Sequence, residues 1–585
     1  MNTGYYMYKF MRDYVKPYYK YIIGIFFVIV LQVYFQINIM KMTKKIIDTG
    51  IYNSDMNFII NTGLIMLGFT ILYGVAMIAS SYLSSYVSAS VTCDVRENLF
   101  SKIVSLSPFD FNNFGPSTLM TRATSDTTRI QIFMITFLRN ALLVPVVIVA
   151  LIIATAQINL ELCGILVVSF VITMAFMVLK SRQSLPLFSN VQRKLDKLNL
   201  LFKEKIQGVR SIRAFSKQKY EIEKFEDLND DFNKTSLQAS LKLYYLTPLA
   251  LIIMNLAVLS IYFLGSIQLK ARLISISDLI LFFQYVTYFI SCLGIVPFIV
   301  TTLPKTVVST DRLEEVLYYN ESVVNDYDSK LDDNLFNNNR PIVEYKNVIF
   351  GYNGAKDVIA DISFKAIQGT TTAFIGATGS GKSTILYLLN RLYDPTFGEI
   401  LYNGVNIKDM DIVDLRDKIS YTSQKTMILN DTVYKNIAMN NNDLSYDKAK
   451  EICDLTMFSE VFKSLSDGLD SVMAQGGMNV SGGQKQRLSL ARTIAKDAEI
   501  YVFDDCFSAL DSKTEYIVRQ NIKEYLSGKT IFMIAQKINT IIDADNIIVL
   551  DKGYIVDQGT HDELLNRCKV YQEIYKTQSY MEDGD

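Results

Sequence analysis

The hydrophobic pattern divides the chain in two. In its first half six apolar stretches, at 18–40, 58–82, 137–156, 162–179, 246–269 and 279–303, approach or exceed the roughly 20 residues that a helix needs to cross a ~30 Å hydrocarbon core. The first has signal-like flanks, with Lys9, Arg12, Lys16 and Lys20 before or within its start. It is too long for a signal sequence, and Gln32, Gln36 and Lys41 follow where small cleavage-site residues belong, so a retained helix is expected. Between spans, 187–225 keeps Leu195, Leu198, Leu201, Phe202, Ile206 and Val209 at helical spacing among charges. The membrane helices are therefore expected to run on past the bilayer through 83–136 and 180–243.

Beyond residue 317 the pattern changes. A polar, Asn-rich stretch at 318–340 reads as a linker, and after it short strand-like apolar runs alternate with helical segments. The expected architecture is an all-α membrane domain of six helices over 1–317 and an α/β domain over 341–585.

Charge sets the orientation. Residues 180–243 carry fourteen Lys and Arg, while the 157–161 turn carries none. Positive charge stays on the cytoplasmic side, which places both termini and the 83–136 and 180–243 connections there; Lys41, Lys44 and Lys45 run mildly against this. With 58 Lys and Arg against 59 Asp and Glu, and no basic stripe, nothing points to nucleic acid. The six cysteines lie at least 53 residues apart, too far for metal-ligand spacing, and free thiols are expected. The membrane segments hold no Asp, Glu or His relay that would support proton coupling. Their Phe, Tyr, Met and Ile content suits an apolar or amphipathic cargo as well as it suits lipid.

The α/β half carries the chemistry. A short strand at 371–375 leads into Gly376-Ala377-Thr378-Gly379-Ser380-Gly381-Lys382-Ser383-Thr384, and a helical segment follows at 382–392. In that context the glycines let backbone N–H groups cradle phosphates, and the helix turns its positive end toward them. Lys382 is the candidate for the β- and γ-phosphates of a nucleotide and Ser383 for Mg2+. A second strand, 499–503, ends at Asp504, the other candidate magnesium ligand, and Asp505 follows at once. Tyr352, upstream of the loop, is a candidate to stack on adenine. Gln424 is a candidate to sense the γ-phosphate through Mg2+ or water, and Gln536 follows a third strand at 530–534.

With Val480-Ser481-Gly482-Gly483-Gln484 and Ser508-Ala509-Leu510-Asp511, these residues resemble the ATP-binding-cassette (ABC) family, in its exporter type with six membrane helices fused to one cassette. The resemblance covers nearly the whole chain, including Pro108-Phe109, Met120-Thr121-Arg122, Asp126, the stretch from Gly208 to Phe215 and Asp311-Arg312-Leu313-Glu314-Glu315. It implies the type I exporter fold, ATP and Mg2+ as ligands, and two cassettes closing head to tail. Ser481, Gly482, Gly483 and Gln484 would then complete an ATP site on a partner chain.

Two departures from the family pattern qualify that expectation. Asp505 stands where the family has a catalytic Glu, and Gln536 where it has a switch His; the only histidine is His561. A carboxylate one methylene short loses the general-base positioning that contributes about 10²–10⁴-fold, and an amide cannot become cationic. The combination matches the degenerate partner of heterodimeric exporters. A slowly hydrolysing homodimer and an ATP-gated regulatory subunit remain open. Expected partners are a second half-transporter, the plasma-membrane bilayer and a small hydrophobic substrate.

Overall fold

The computed structural model describes residues 9–293, 296–323, 325, 341–352, 357–439, 441, 443–465 and 467–582. The chain forms two compact units, Met1–Ser105 with Phe114–Tyr319, and Leu106–Asn113 with Asn320–Asp585. Residues 324 and 326–340 of the expected linker lie outside the described residues.

The first unit is helical. Met11–Ile51, Met56–Ser105, Pro116–Ala156, Leu160–Met177 and Pro248–Lys270 are long and apolar enough to cross a membrane. The sixth expected span, 279–303, falls on Ile276–Leu293 and Val296–Leu317, with 294 and 295 outside the described residues; its apolar part, Ile276–Cys292, is shorter than the others. Met56–Ser105 runs for 50 residues and Leu160–Gln207 for 48. At 1.5 Å per residue each is about 70–75 Å long, more than twice the hydrocarbon thickness. Asn159 starts the second of these by accepting hydrogen bonds from the N–H groups of Glu161 and Leu162 at 3.0 and 3.1 Å, a side-chain cap for the turn after the third span.

Packing sorts the apolar residues of this unit into two sets. Val33, Val147, Leu166, Met254, Phe282 and Phe289 form a buried core between helices. Ile23, Phe27, Ile65, Ile78, Val171 and Phe263 stay exposed on the same helices, as lipid-facing positions must. Two of the family-like motifs meet here. Arg122 donates to the Arg312 carbonyl at 2.8 Å and to Glu315 at 2.7 Å, and Asp126 accepts from Ser309 at 2.7 Å.

The second unit holds two sheets. Four antiparallel strands lie in the order β2-β1-β4-β5, with β1 Pro341–Phe350, β2 Ile359–Ile367, β4 Phe397–Tyr402 and β5 Val405–Asn406. Six more lie in the order β10-β9-β3-β8-β7-β6. These are β3 Thr371–Gly376, β6 Ile419–Thr422, β7 Ile500–Asp504, β8 Thr530–Ile534, β9 Asn546–Asp551 and β10 Tyr554–Gly559. All but β10 are parallel.

Period-2 alternation explains the layers. Tyr501, Phe503, Ile531 and Met533 face the helices Gly482–Ile494 and Ser512–Tyr525, whose Leu488, Leu490, Val518 and Ile522 join the same cluster. Ile500, Val502, Phe532 and Ile534 face the opposite cluster, with Ile385, Leu386 and Leu389 of the helix Lys382–Leu389 and the antiparallel sheet.

Leu106–Asn113 belongs to this second unit although the chain enters and leaves it through membrane helices. Asp110, fully buried, accepts at one carboxylate oxygen from the Ser107 hydroxyl at 2.8 Å, the Ser322 N–H at 3.0 Å and the Ser322 hydroxyl at 2.9 Å. Asn325 continues the attachment, donating to Asp411 at 2.8 Å and accepting from the Ile412 N–H at 3.1 Å. Phe109 meets Tyr393 edge-on at 6.4 Å. Removing a buried acceptor leaves its donors unsatisfied at about 1–3 kcal/mol. Asp110→Ala is therefore expected to lower the melting temperature of this unit. The buried thiols of Cys453, Cys506 and Cys568, labelled as they become exposed on heating, report it.

Candidate active site

Parallel pairing delivers the candidate residues to one edge. Along β3-β8-β7-β6 the carboxyl ends carry, in turn, the glycine loop, Gln536, Asp504 with Asp505, and Gln424 two residues past Thr422. In register, Phe374 pairs with Ile534 and Asp504 with Ile534, so residues remote in sequence become neighbours.

The loop runs from Gly376 to the helix at Lys382. Gly381 caps that helix at φ +99°, and a Cβ there would lie 2.7 Å from Ile359 and 3.0 Å from the Val358 carbonyl. Gly379, at φ +82°, faces open space, so glycine is needed there for its backbone angle alone. Ala377, Thr378 and Gly379 are exposed, whereas Thr384 is buried. Ser380 is also buried, and its hydroxyl has no partner among the described residues. Lys382 Nζ donates to the carbonyls of Gly376 and Ala377 at 2.8 and 2.9 Å. Burial holds this ammonium below the usual lysine range, against the pull of Asp505 and Asp504.

The two aspartates differ in their surroundings. Asp504, fully buried, accepts from Ser383 Oγ at 2.9 Å on one oxygen and from Tyr421 OH at 3.0 Å on the other. Asp505 takes a left-handed backbone, φ +49°, which Asp tolerates better than most residues. One of its oxygens accepts from Gln536 Nε2 at 2.7 Å and from Gln424 Nε2 at 3.2 Å. Burial raises both carboxyls above the usual range, with the hydrogen bonds to each opposing it.

Tyr352 is half-buried, its hydroxyl 3.0 Å from Thr384 Oγ1 and its ring edge-on to Phe350 and Tyr393 at 4.9 and 5.3 Å. The signature sits elsewhere. Ser481 and Gln484 close a capping box on the helix Gly482–Ile494, with Gln484 Oε1 accepting from the Ser481 N–H at 2.8 Å. Ser481 and Gly482 are exposed. Among the described residues no hydrogen bond or ion pair joins the signature to the glycine loop.

Several contributors were not legible in the sequence. Tyr421 carries no motif, and only the β6–β7 register places it beside Asp504. Gln486 holds the Ser508 turn, accepting from the Ala509 N–H at 2.9 Å, while Ser508 donates to the Asp505 carbonyl at 3.0 Å. The signature helix is thereby tied to the backbone of Asp505. Gln578, in the helix Lys569–Glu582, bonds the Gln536 carbonyl at 2.7 Å.

A long-helix membrane unit and a cassette with phosphate loop, paired acids and capped signature together define a membrane-embedded transport ATPase. Comparison with known proteins places it further. Residues 21–293 match the family model for the ABC transporter transmembrane region, and 359–508 match the ABC transporter model. The chain is 32 % identical over 91 % of its length to the uncharacterized ABC transporter ATP-binding protein YfiB of Bacillus subtilis, covering 92 % of that protein. It is 28 % identical over 98 % of its length to the ATP-dependent lipid A-core flippase of Legionella pneumophila, covering 97 % of it. A solved bacterial Atm1-family ABC exporter with ATP bound superposes with a TM-score of 0.81, at 22 % identity, over 96 % of this chain and 98 % of that one. The chain belongs to the ABC transporter family, as an ATP-driven exporter with membrane and ATP-binding domains fused in one half-transporter.

The raised carboxyl of Asp505 gives a stability test. A carboxyl with a raised pKa in the fold binds protons more tightly folded than unfolded, so its charge costs stability above that pKa. The cost vanishes below the unfolded value of about 3.9. Asp505→Asn, which still accepts from Gln536 and tolerates the left-handed backbone, is expected to raise the melting temperature at pH 7, with the difference from wild type closing as pH falls toward 4. A constant difference across that range would refute the assignment.

Proposed function

We propose that this chain is the degenerate half of a heterodimeric ABC exporter. Its own site binds ATP and hydrolyses it slowly, and its Ser481, Gly482, Gly483 and Gln484 complete the faster site on a partner half-transporter. The observation that carries this reading is the doubly held oxygen of Asp505. Two neutral amides, Gln424 and Gln536, converge on the carboxylate where general-base chemistry belongs, and the only switch-position side chain is already donating to it. A short carboxylate in the left-handed region, pinned from two sides, is poorly placed to orient an attacking water, and no imidazole stands by to take charge.

ATP binding draws on the residues around the loop. Lys382 exchanges two backbone carbonyls for phosphate oxygens, the lone Ser380 hydroxyl gains a partner, and Tyr352 offers a ring beside Thr384. The oxygen donors of Ser383 and Asp504 lie 2.9 Å apart, and Gln424, whose amide reaches Asp505, would add its carbonyl oxygen. A hydroxyl, a carboxylate and an amide oxygen suit Mg2+, which would neutralise charge on the phosphates. Among the described residues no group of three His, Cys, Asp or Glu could hold a metal, so those phosphates would supply the remaining ligands.

In this reading 1–317 is the membrane domain, 318–340 the linker and 341–585 the cassette. Both termini lie on the cytoplasmic side of the plasma membrane, and the cargo is a hydrophobic or amphipathic molecule. The likeness to a lipid A-core flippase supports an amphipathic cargo.

The test restores what is missing. Asp505→Glu with Gln536→His is expected to raise Mg-ATPase turnover of the chain in lipid nanodiscs by about tenfold or more, on the scale that a positioned base contributes. Wild-type protein is expected to bind ATP with negligible turnover alone. Brisk hydrolysis by the wild-type chain without a partner would overturn the heterodimer reading.

A further inference from the structure

The C-terminal helix Lys569–Glu582 reaches back to the switch position. Its start is firmly seated. Tyr571 is fully buried with its hydroxyl 2.8 Å from His561 Nδ1, Tyr575 lies 5.7 Å from the same imidazole ring, and Gln572 donates to the Leu565 carbonyl at 2.7 Å. From that base Gln578 makes two hydrogen bonds with one amide. Nε2 donates to the Gln536 carbonyl at 2.7 Å, and Oε1 accepts from the Ile538 N–H at 2.8 Å. The amide therefore spans the backbone on both sides of Lys537.

That stretch has few other anchors. Gln536 and Lys537 are exposed, Lys537 lies 4.0 Å from Glu515, and the preceding Ala535 N–H reaches the Phe374 carbonyl at 3.4 Å. Ile538, buried, opens the short helix Ile538–Ile541. The side chain of Gln536 points its amide at Asp505 while its backbone is held by Gln578. An unbroken line of hydrogen bonds thus runs from the C-terminal helix through the switch residue to the paired acids.

We propose that Gln578 is a positioning residue: by clamping the backbone at Gln536 and Ile538, it sets the switch side chain for the terminal phosphate of bound ATP. The proposal rests on the reading of Gln536 as the switch-position residue, and adds that its amide, though it cannot become cationic, can still donate a hydrogen bond to a γ-phosphate. The bidentate geometry needs a donor and an acceptor at one side-chain length. A Glu at this position keeps the acceptor for Ile538 but sets a carboxylate oxygen against the Gln536 carbonyl. The clamp acts only through Gln536, so its loss penalises ATP and spares ADP, which lacks the γ-phosphate.

Equilibrium binding of Mg-ATP and Mg-ADP to the full chain in nanodiscs tests this, with melting temperatures measured in parallel. Gln578→Ala and Gln578→Glu are expected to weaken ATP binding about fivefold, as loss of one modest hydrogen bond does, and to change ADP binding by less than about twofold. Gln536→Ala should shift the ATP/ADP ratio in the same direction, and adding Gln578→Ala to it should cause no further shift. If Gln536→Ala moves the ratio while Gln578→Ala leaves it unmoved, or weakens both nucleotides equally, the clamp is overturned and the site reading stands. If Gln536→Ala leaves the ratio unchanged, the γ-phosphate role of Gln536 falls, and the clamp with it.

Discussion

Everything at the nucleotide edge depends on parallel pairing in register between β3, β8, β7 and β6. A strand presents successive side chains to opposite faces, so Phe503 is spent on the core while the residues just past the strand end are free for chemistry. Slip β7 by one residue against β8 and Asp504 would trade places with a core aromatic. The hydrophobic clusters on the two faces thus do more than stabilise the cassette. They lock the register that brings Ser383, Gln424, Asp504, Asp505 and Gln536 within reach of one another.

The same edge is connected outward by contacts within the second unit. Tyr352 touches Tyr393, and Tyr393 touches Phe109 of the segment that interrupts the membrane helices. On the other flank the Asp505 backbone is tied through Ser508 and Gln486 to the signature helix. These contacts give the edge two short physical connections, one to the segment that interrupts the membrane helices and one to the helix that carries Ser481. In the membrane unit, two helices are more than twice as long as the hydrocarbon core is thick.

Much of this was legible in the residues because the governing signals are local. The glycine loop lies between a strand and a helix in sequence, and strand 530–534 coincides with β8 because a run of apolar and β-branched residues cannot stay in water. Span length followed from apolar runs, except that the last was read as one stretch and falls on two described helices. What escaped were partners set by register and tertiary packing. Tyr421 and Gln578 are ordinary polar residues in sequence, and Gln486 is only a member of the signature run; the folded neighbours alone give them roles. The capping role of Gln484, whose carbonyl oxygen accepts from the Ser481 N–H, is likewise visible only in the folded chain.

The membership of Leu106–Asn113 in the cassette's compact unit makes the two halves of this protein topologically inseparable. A cut in the linker frees the C-terminal chain but leaves behind the peptide that covers Tyr393 and supplies the buried carboxylate for Ser322. A cassette excised from Asn320 onward would present an uncovered Tyr393 ring and the Ser322 hydroxyl and N–H without their acceptor. The cassette's compact unit is therefore complete only in a chain that still carries the segment lying between the membrane helices in sequence.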